Sequence, residues 1–245
     1  METQKTNYDY KNVIQLSGTQ DTTRKFMANV FMWMFVALGI SAALSYLFSH
    51  DQSLLQLLFN PETLHRTTLG TIVIFAPLAF VLIMSFGMNK ISYPVLVLLF
   101  IAYAALTGIS LSFIFLIYTS ASISTVFLIS SLVFGVMAVA GYTTNTDLTK
   151  FGSIMIIGFI GILIASLVNV FMQSTQLYYI ISYIGVAVFV GLTAYDVQKL
   201  KRIGEGIEYG TASAGKMAIM GALTLYLDFI NLFLMLLRVF GGRRR

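Results

Sequence analysis

The chain has no cysteine, two histidines, one tryptophan and three prolines in 245 residues, and only 10% of those residues are charged. The lack of cysteine excludes disulfides, thiolate nucleophiles and Cys-ligated zinc or iron–sulfur sites. His50 and His65 fall in the same stretch between two hydrophobic segments, so a Ser/His/Asp triad or a histidine-rich metal site has almost no material. No catalytic residue, no bound cofactor and no nucleic-acid partner is expected. What the chain does have is apolar surface: 58% of it is hydrophobic, more than a soluble domain of this length could bury. That makes it a polytopic membrane protein whose first partner is the lipid bilayer. The opening residues carry Glu2, Lys5, Asp9, Lys11, Asp21, Arg24 and Lys25 with no apolar core. This is unlike a cleavable signal peptide, and the first hydrophobic span is expected to direct insertion.

At about 20 apolar residues per helical crossing, the sequence divides into seven segments: 26–48, 69–89, 93–118, 122–142, 151–172, 177–198 and 217–239. The expected fold is an all-α, seven-transmembrane-helix bundle over residues 26–239. A cytoplasmic segment, 1–25, precedes it and a basic tail, 240–245, follows. Pro77 is expected to kink the second segment, and Pro94 suits the first turn of the third. Lys5, Lys11, Arg24, Lys25, Lys90, Lys150, Lys199, Lys201, Arg202 and Lys216 fall on one side if every segment crosses, against Arg66 alone in the opposite loops. The amino terminus is therefore expected in the cytoplasm. The tail conflicts with this rule: Arg238 and Arg243 to Arg245 end outside after seven crossings, unless the last segment is re-entrant.

Two acids stand out. Asp228 sits in the apolar run Ala218 to Leu237 with no other charged side chain, and Asp196 closes the preceding segment. An intramembrane carboxylate points to function. Helical spacing places Gly221, Thr224, Asp228 and Asn231 along one stripe, which should face protein or water rather than lipid. Ala187 and Gly191 are four apart and would let another helix approach closely. Gly161 and Ala165 repeat that spacing in the fifth segment, with Asn169 one turn further as a polar side chain wanting a buried partner. If Asp196 and Asp228 meet, repulsion and desolvation hold one proton between them. When both ionise, they attract a hard divalent cation such as calcium, which prefers carboxylate and carbonyl oxygens. Calcium and protons would then compete for one site.

Structural readings stand beside this one. Asp196 lies three residues from Lys199 and could be an interfacial residue with a local ion pair. Asp228 could be a protonated side chain hydrogen-bonded to Thr or Asn. The two also differ in apparent depth, and meet only if the sixth helix continues toward Arg202 or the last begins deep in the bundle. Lys90, at the end of the second segment, could act as a gating counter-ion or snorkel to headgroups. The terminal Gly241-Gly-Arg-Arg-Arg reads as an anionic-lipid anchor.

The stretches Gly191-Leu-Thr-Ala-Tyr-Asp-Val-Gln-Lys and Ala222-Leu-Thr-Leu-Tyr-Leu-Asp-Phe-Ile-Asn-Leu-Phe-Leu closely resemble the transmembrane Bax inhibitor motif family (Bax inhibitor-1-like) in its bacterial members. Ala104-Ala-Leu-Thr-Gly-Ile-Ser-Leu-Ser and Gly141-Tyr-Thr-Thr support the match. The resemblance implies a bacterial inner-membrane protein in which six helices wrap a central last one. It also implies a pH-sensitive calcium leak whose paired acids match Asp196 and Asp228. Lys90 stands roughly where some members have an arginine in the gate, and lysine lacks the bidentate carboxylate contact. Two other functions fit the same residues: an accessory protein that modulates a membrane quality-control protease, and an intramembrane aspartyl protease. Against the last, Asp228 follows Leu225-Tyr-Leu rather than a glycine-rich approach.

Overall fold

The computed structural model describes residues 11–61 and 65–244, with side chains from residue 20 onward. The expectations for Lys5 and Arg245 lie outside these residues. The chain forms nine helices among the described residues: α1 (Lys11–His50), α2 (Gln52–Leu58), α3 (Thr68–Gly87), α4 (Tyr93–Leu111), α5 (Ile114–Ile117), α6 (Ser120–Thr143), α7 (Thr149–Met172), α8 (Thr175–Glu205) and α9 (Ala212–Phe240). Seven spans are long and apolar enough to cross a membrane: α1 from Gln20, α3, α4 continued through α5, α6, α7, α8 and α9. They coincide with the seven segments read from hydropathy, except that α1, α8 and α9 run longer and the spans ending at Gly87 and Ile117 stop slightly earlier.

The ends are set by local chemistry. Thr67, Thr119, Ser174 and Thr211 cap α3, α6, α8 and α9, each side-chain oxygen accepting a backbone N–H of the first turn. Each cap satisfies a donor that the helix itself cannot. Pro94 sits in the first turn of α4, where its missing N–H costs nothing, and α3 runs through Pro77. Gln173, left-handed at φ 50°, closes α7 and turns the chain into α8. The long connection after α1 is folded: Asp51 caps α2, and Phe59–Asn60 pair antiparallel with His65–Arg66.

Packing separates the helices into enclosed and peripheral ones. α9 packs on α1, α4, α6 and α8, whereas α7 packs chiefly on α8 and α3 chiefly on α4. In the most apolar window of α9, 72% of residues are buried, against 6% for α7. Leu, Ile and Phe cover the surface of α7 because lipid, not protein, is its solvent. α9 also decides the question of the tail. It is a single 29-residue helix that does not turn back. Beyond it, Gly242 and Arg244 bond the backbone of Thr119 and Ile117, and Arg243 pairs with Tyr118. Residues 242–244 therefore lie at the end holding His50, Tyr118 and Ser174, opposite the end that holds Lys90, Asp147 and Arg202.

Candidate functional site: a buried pair of aspartates

α8 and α9 are antiparallel neighbours, and small residues fix their register. A Cβ on Gly185 would lie 2.8 Å from Met235, and one on Gly221 would lie 2.6 Å from Leu200. These two contacts bracket Asp196 and Asp228, which come together between them. Asp196 is 8% exposed and Asp228 5%, and their carboxyl groups are within hydrogen-bonding reach of one another. The apparent depth difference disappears because α8 does not stop at Gln198. It continues through Arg202 to Glu205, which carries Asp196 into the bundle.

The electrostatics of the pair are sparse. Lys199 is the charged group close enough to act on Asp196, and it is exposed on the same helix. Asp228 faces Asp196 and no cation among the described residues. One Asp228 oxygen, Oδ2, is buried without a hydrogen-bond partner. A lone carboxylate in the middle of a membrane helix costs about 2.5–3.5 kcal/mol even on the mildest scales, and no cation among the described residues offsets that cost at Asp228. Two carboxylates offer at most four oxygens. No group of three or more His, Asp or Glu able to hold a metal occurs among the described residues. Calcium takes about 6–8 oxygen ligands, so an ion here would keep much of its water.

The remaining candidates lie elsewhere. Thr224 donates to Met220 O at 3.1 Å and Asn231 to Leu227 O at 2.8 Å, both within α9, so neither bonds to Asp228. Asn169 Oδ1 accepts the Ser174 N–H at 3.0 Å and holds the turn at the far end of α7. Lys90 is exposed in the turn after α3, and no ion pair joins it to either aspartate among the described residues. Ala187 is exposed, Gly161 faces open space, and Gly191 packs on Met155 of α7 rather than on α9. Of the small-residue spacings, Gly191 alone marks a tight contact.

Sequence reasoning missed a clamp below Asp196. Gln198, half a turn on, accepts the Leu148 N–H at 2.9 Å and donates to Thr146 O at 2.8 Å. Arg202 pairs with Asp147 at 2.7 Å, and Lys201 donates to Tyr142 O at 3.0 Å. The end of α8 thereby holds the α6–α7 connection. The signal was present as a polar face, Gln198, Lys201 and Arg202, at three- and four-residue spacing on a helix otherwise read as ending. The Asp147 carboxyl is held well below the usual carboxylate range by the Thr149 hydroxyl, the Thr149 N–H and Arg202.

A bundle of membrane-crossing helices closed around one internal pair of carboxylates defines the class: a multi-pass α-helical membrane protein with a polar, ionisable centre. Residues 23–245 match the family model described as Inhibitor of apoptosis-promoting Bax1, and the chain belongs to that family. It is 48% identical over 220 residues to the inner membrane protein YbhL of Escherichia coli K12, covering 89% of this chain and 92% of YbhL. It is 46% identical to a Borreliella burgdorferi protein over 90% of this chain and 93% of that one. It is 43% identical to a Rickettsia prowazekii protein over 96% and 99% of the two chains. These relatives and the seven apolar spans make it a bacterial multi-pass membrane protein.

Proposed function

We propose that this protein is a proton-sensitive calcium leak in which Asp196 and Asp228 form both the gate and the sensor. The reading rests above all on Asp228: a buried carboxylate with an unpartnered oxygen, facing another carboxylate, in the most enclosed helix of the bundle. A structural acid would have its oxygens bonded. Here the open valence suits a ligand that comes and goes. With a proton between them the two carboxyls hold α8 and α9 together. Without it they repel one another and attract a divalent cation, so calcium and protons act as competitors. YbhL's description as an inner membrane protein supports placing this chain in the bacterial inner membrane, and the distribution of basic residues supports a cytoplasmic amino terminus.

Calcium entry into liposomes holding purified protein, at about pH 6 and pH 8, tests this proposal with the range set by carboxyl pairs. Native protein should show flux that differs between the two values, and Asp196→Asn and Asp228→Asn should each abolish the difference. Asp147 cannot supply the response. Its carboxyl is depressed below its ordinary value of 3.8, so the Arg202 clamp is intact throughout that interval and weakens only in stronger acid. Flux no greater than in empty liposomes would overturn the leak. A pH response surviving in both variants would move the sensor away from the pair, with His50 and His65 the next groups to test.

A further inference from the structure

A cavity reaches the half of α9 nearest Phe240. α6 packs on α8 and α9, and α1 on α4, α8 and α9. Between α6 and the α1–α4 pair is a cavity of ≈ 480 Å³ whose floor is Ile230 and Phe233 of α9. Tyr46 and Leu128, 60% and 64% exposed, flank its mouth on the lipid-facing surface. The size falls within the range of about 300–1,000 Å³ usual for small-ligand sites.

An apolar cavity facing hydrocarbon gains nothing from apolar burial, because the acyl chains outside are equally apolar. Any selectivity must come from its polar atoms, and these have a definite arrangement. Ser41 is satisfied: its hydroxyl lies 2.7 Å from both Ala104 O and Tyr226 OH. Ser45, one turn nearer the membrane surface, lines the cavity, is 5% exposed and has a hydroxyl with no partner. At the rim, Phe115 connects two basic side chains. Arg244 donates to its carbonyl at 3.2 Å, and His50 meets its ring edge-on at 5.9 Å. Arg243 is tied beside it through Tyr118. From Ser45 to His50 is about 7.5 Å along α1. The Arg244 guanidinium thus lies at the rim, the unpartnered Ser45 hydroxyl lies deeper along α1, and the apolar floor of Ile230 and Phe233 completes the cavity.

We propose that this cavity is a binding site for one anionic phospholipid of the adjoining leaflet. Its phosphate lies against Arg244 and Arg243, an ester carbonyl accepts the Ser45 hydroxyl, and one acyl chain covers Ile230 and Phe233. The lipid fills the space that protein leaves beside Ile230 and Phe233. This assignment is independent of calcium transport.

Full-length protein in detergent, mixed with dioleoylphosphatidylglycerol, dioleoylphosphatidylcholine or oleate, tests the site by native mass spectrometry of retained ligand. Phosphatidylglycerol should be retained about tenfold better than phosphatidylcholine, the scale of one or two basic side chains at a membrane surface. Arg244→Gln should remove the preference. Ser124→Phe, at an exposed position on the cavity wall, should block retention by filling the slot while leaving the fold intact. Equal retention of the two phospholipids, or stronger retention of oleate, would overturn the proposal. So would loss in Arg244→Gln with none in Ser124→Phe, since the lipid would then sit on the tail alone.

Discussion

Asp228 and Tyr226 lie two residues apart on α9, both almost completely buried, and use opposite solutions to the same problem. Tyr226 OH is paired with Ser41 at 2.7 Å and its ring packs edge-on against Tyr103 at 5.4 Å. Tyr226→Phe should therefore lower stability by about 0.5–1.5 kcal/mol, the net value of one internal hydrogen bond, as measured by thermal unfolding in detergent, without altering the pH response of calcium flux. Asp228→Asn should behave in the opposite way. Under the proposed leak it removes the charge that forms at high pH in a site where charge is costly, so at pH 8 the variant should unfold at or above the native temperature while losing the pH-dependent difference in flux. A marked loss of stability in Asp228→Asn would instead give the acid a structural role.

Helices carry the site because close contacts set their relative positions. A side chain on Gly141 of α6 would collide with the backbone carbonyl of Ala194 on α8, two residues before Asp196. Backbone cannot yield as a flexible side chain does. Gly141→Ala should thus cost about 1–3 kcal/mol by overpacking in thermal unfolding and, under the proposed leak, should also change the pH dependence of calcium flux. The helices themselves were legible in the sequence, because a hydrophobic run of bilayer length leaves the backbone no other satisfied conformation. The two aspartates were legible for the same reason, as charges where charge is expensive. Neither signal specifies which face of a helix meets which neighbour. Gly161 and Gly191 look alike in sequence, yet one faces open space and the other touches α7. Thr224 and Asn231 lie on the Asp228 stripe but bond their own helix, because a carbonyl four residues back is always within reach. The polar end of α8 was missed because a hydropathy boundary marks where lipid ends, not where the helix does.

For the molecule as a whole, the absence of cysteine makes topology directly measurable with single introduced thiols. The tail docks on the turn before α6, so positions 120 and 243 must share a side whichever way the protein is inserted. Under the cytoplasmic amino terminus proposed above, a membrane-impermeant maleimide added to intact cells should label Ser120→Cys and Arg243→Cys and spare Asn89→Cys. Labelling of Asn89→Cys alone would reverse the orientation. Labelling of position 120 without 243 would contradict the docked tail.

The enclosure of α9 has a further consequence for how the protein is made. The helix with the most protein around it is made after the six other spans, so until α9 is inserted the faces of α1, α4, α6 and α8 that pack on it are without their partner. The pair of acids is therefore assembled late, because Asp228 can meet Asp196 only once α9 lies beside α8. A chain released before Ala212 would keep the packing of α1 on α4 and of α6 and α7 on α8, yet would lack the pair of acids and the helix that four of the others face.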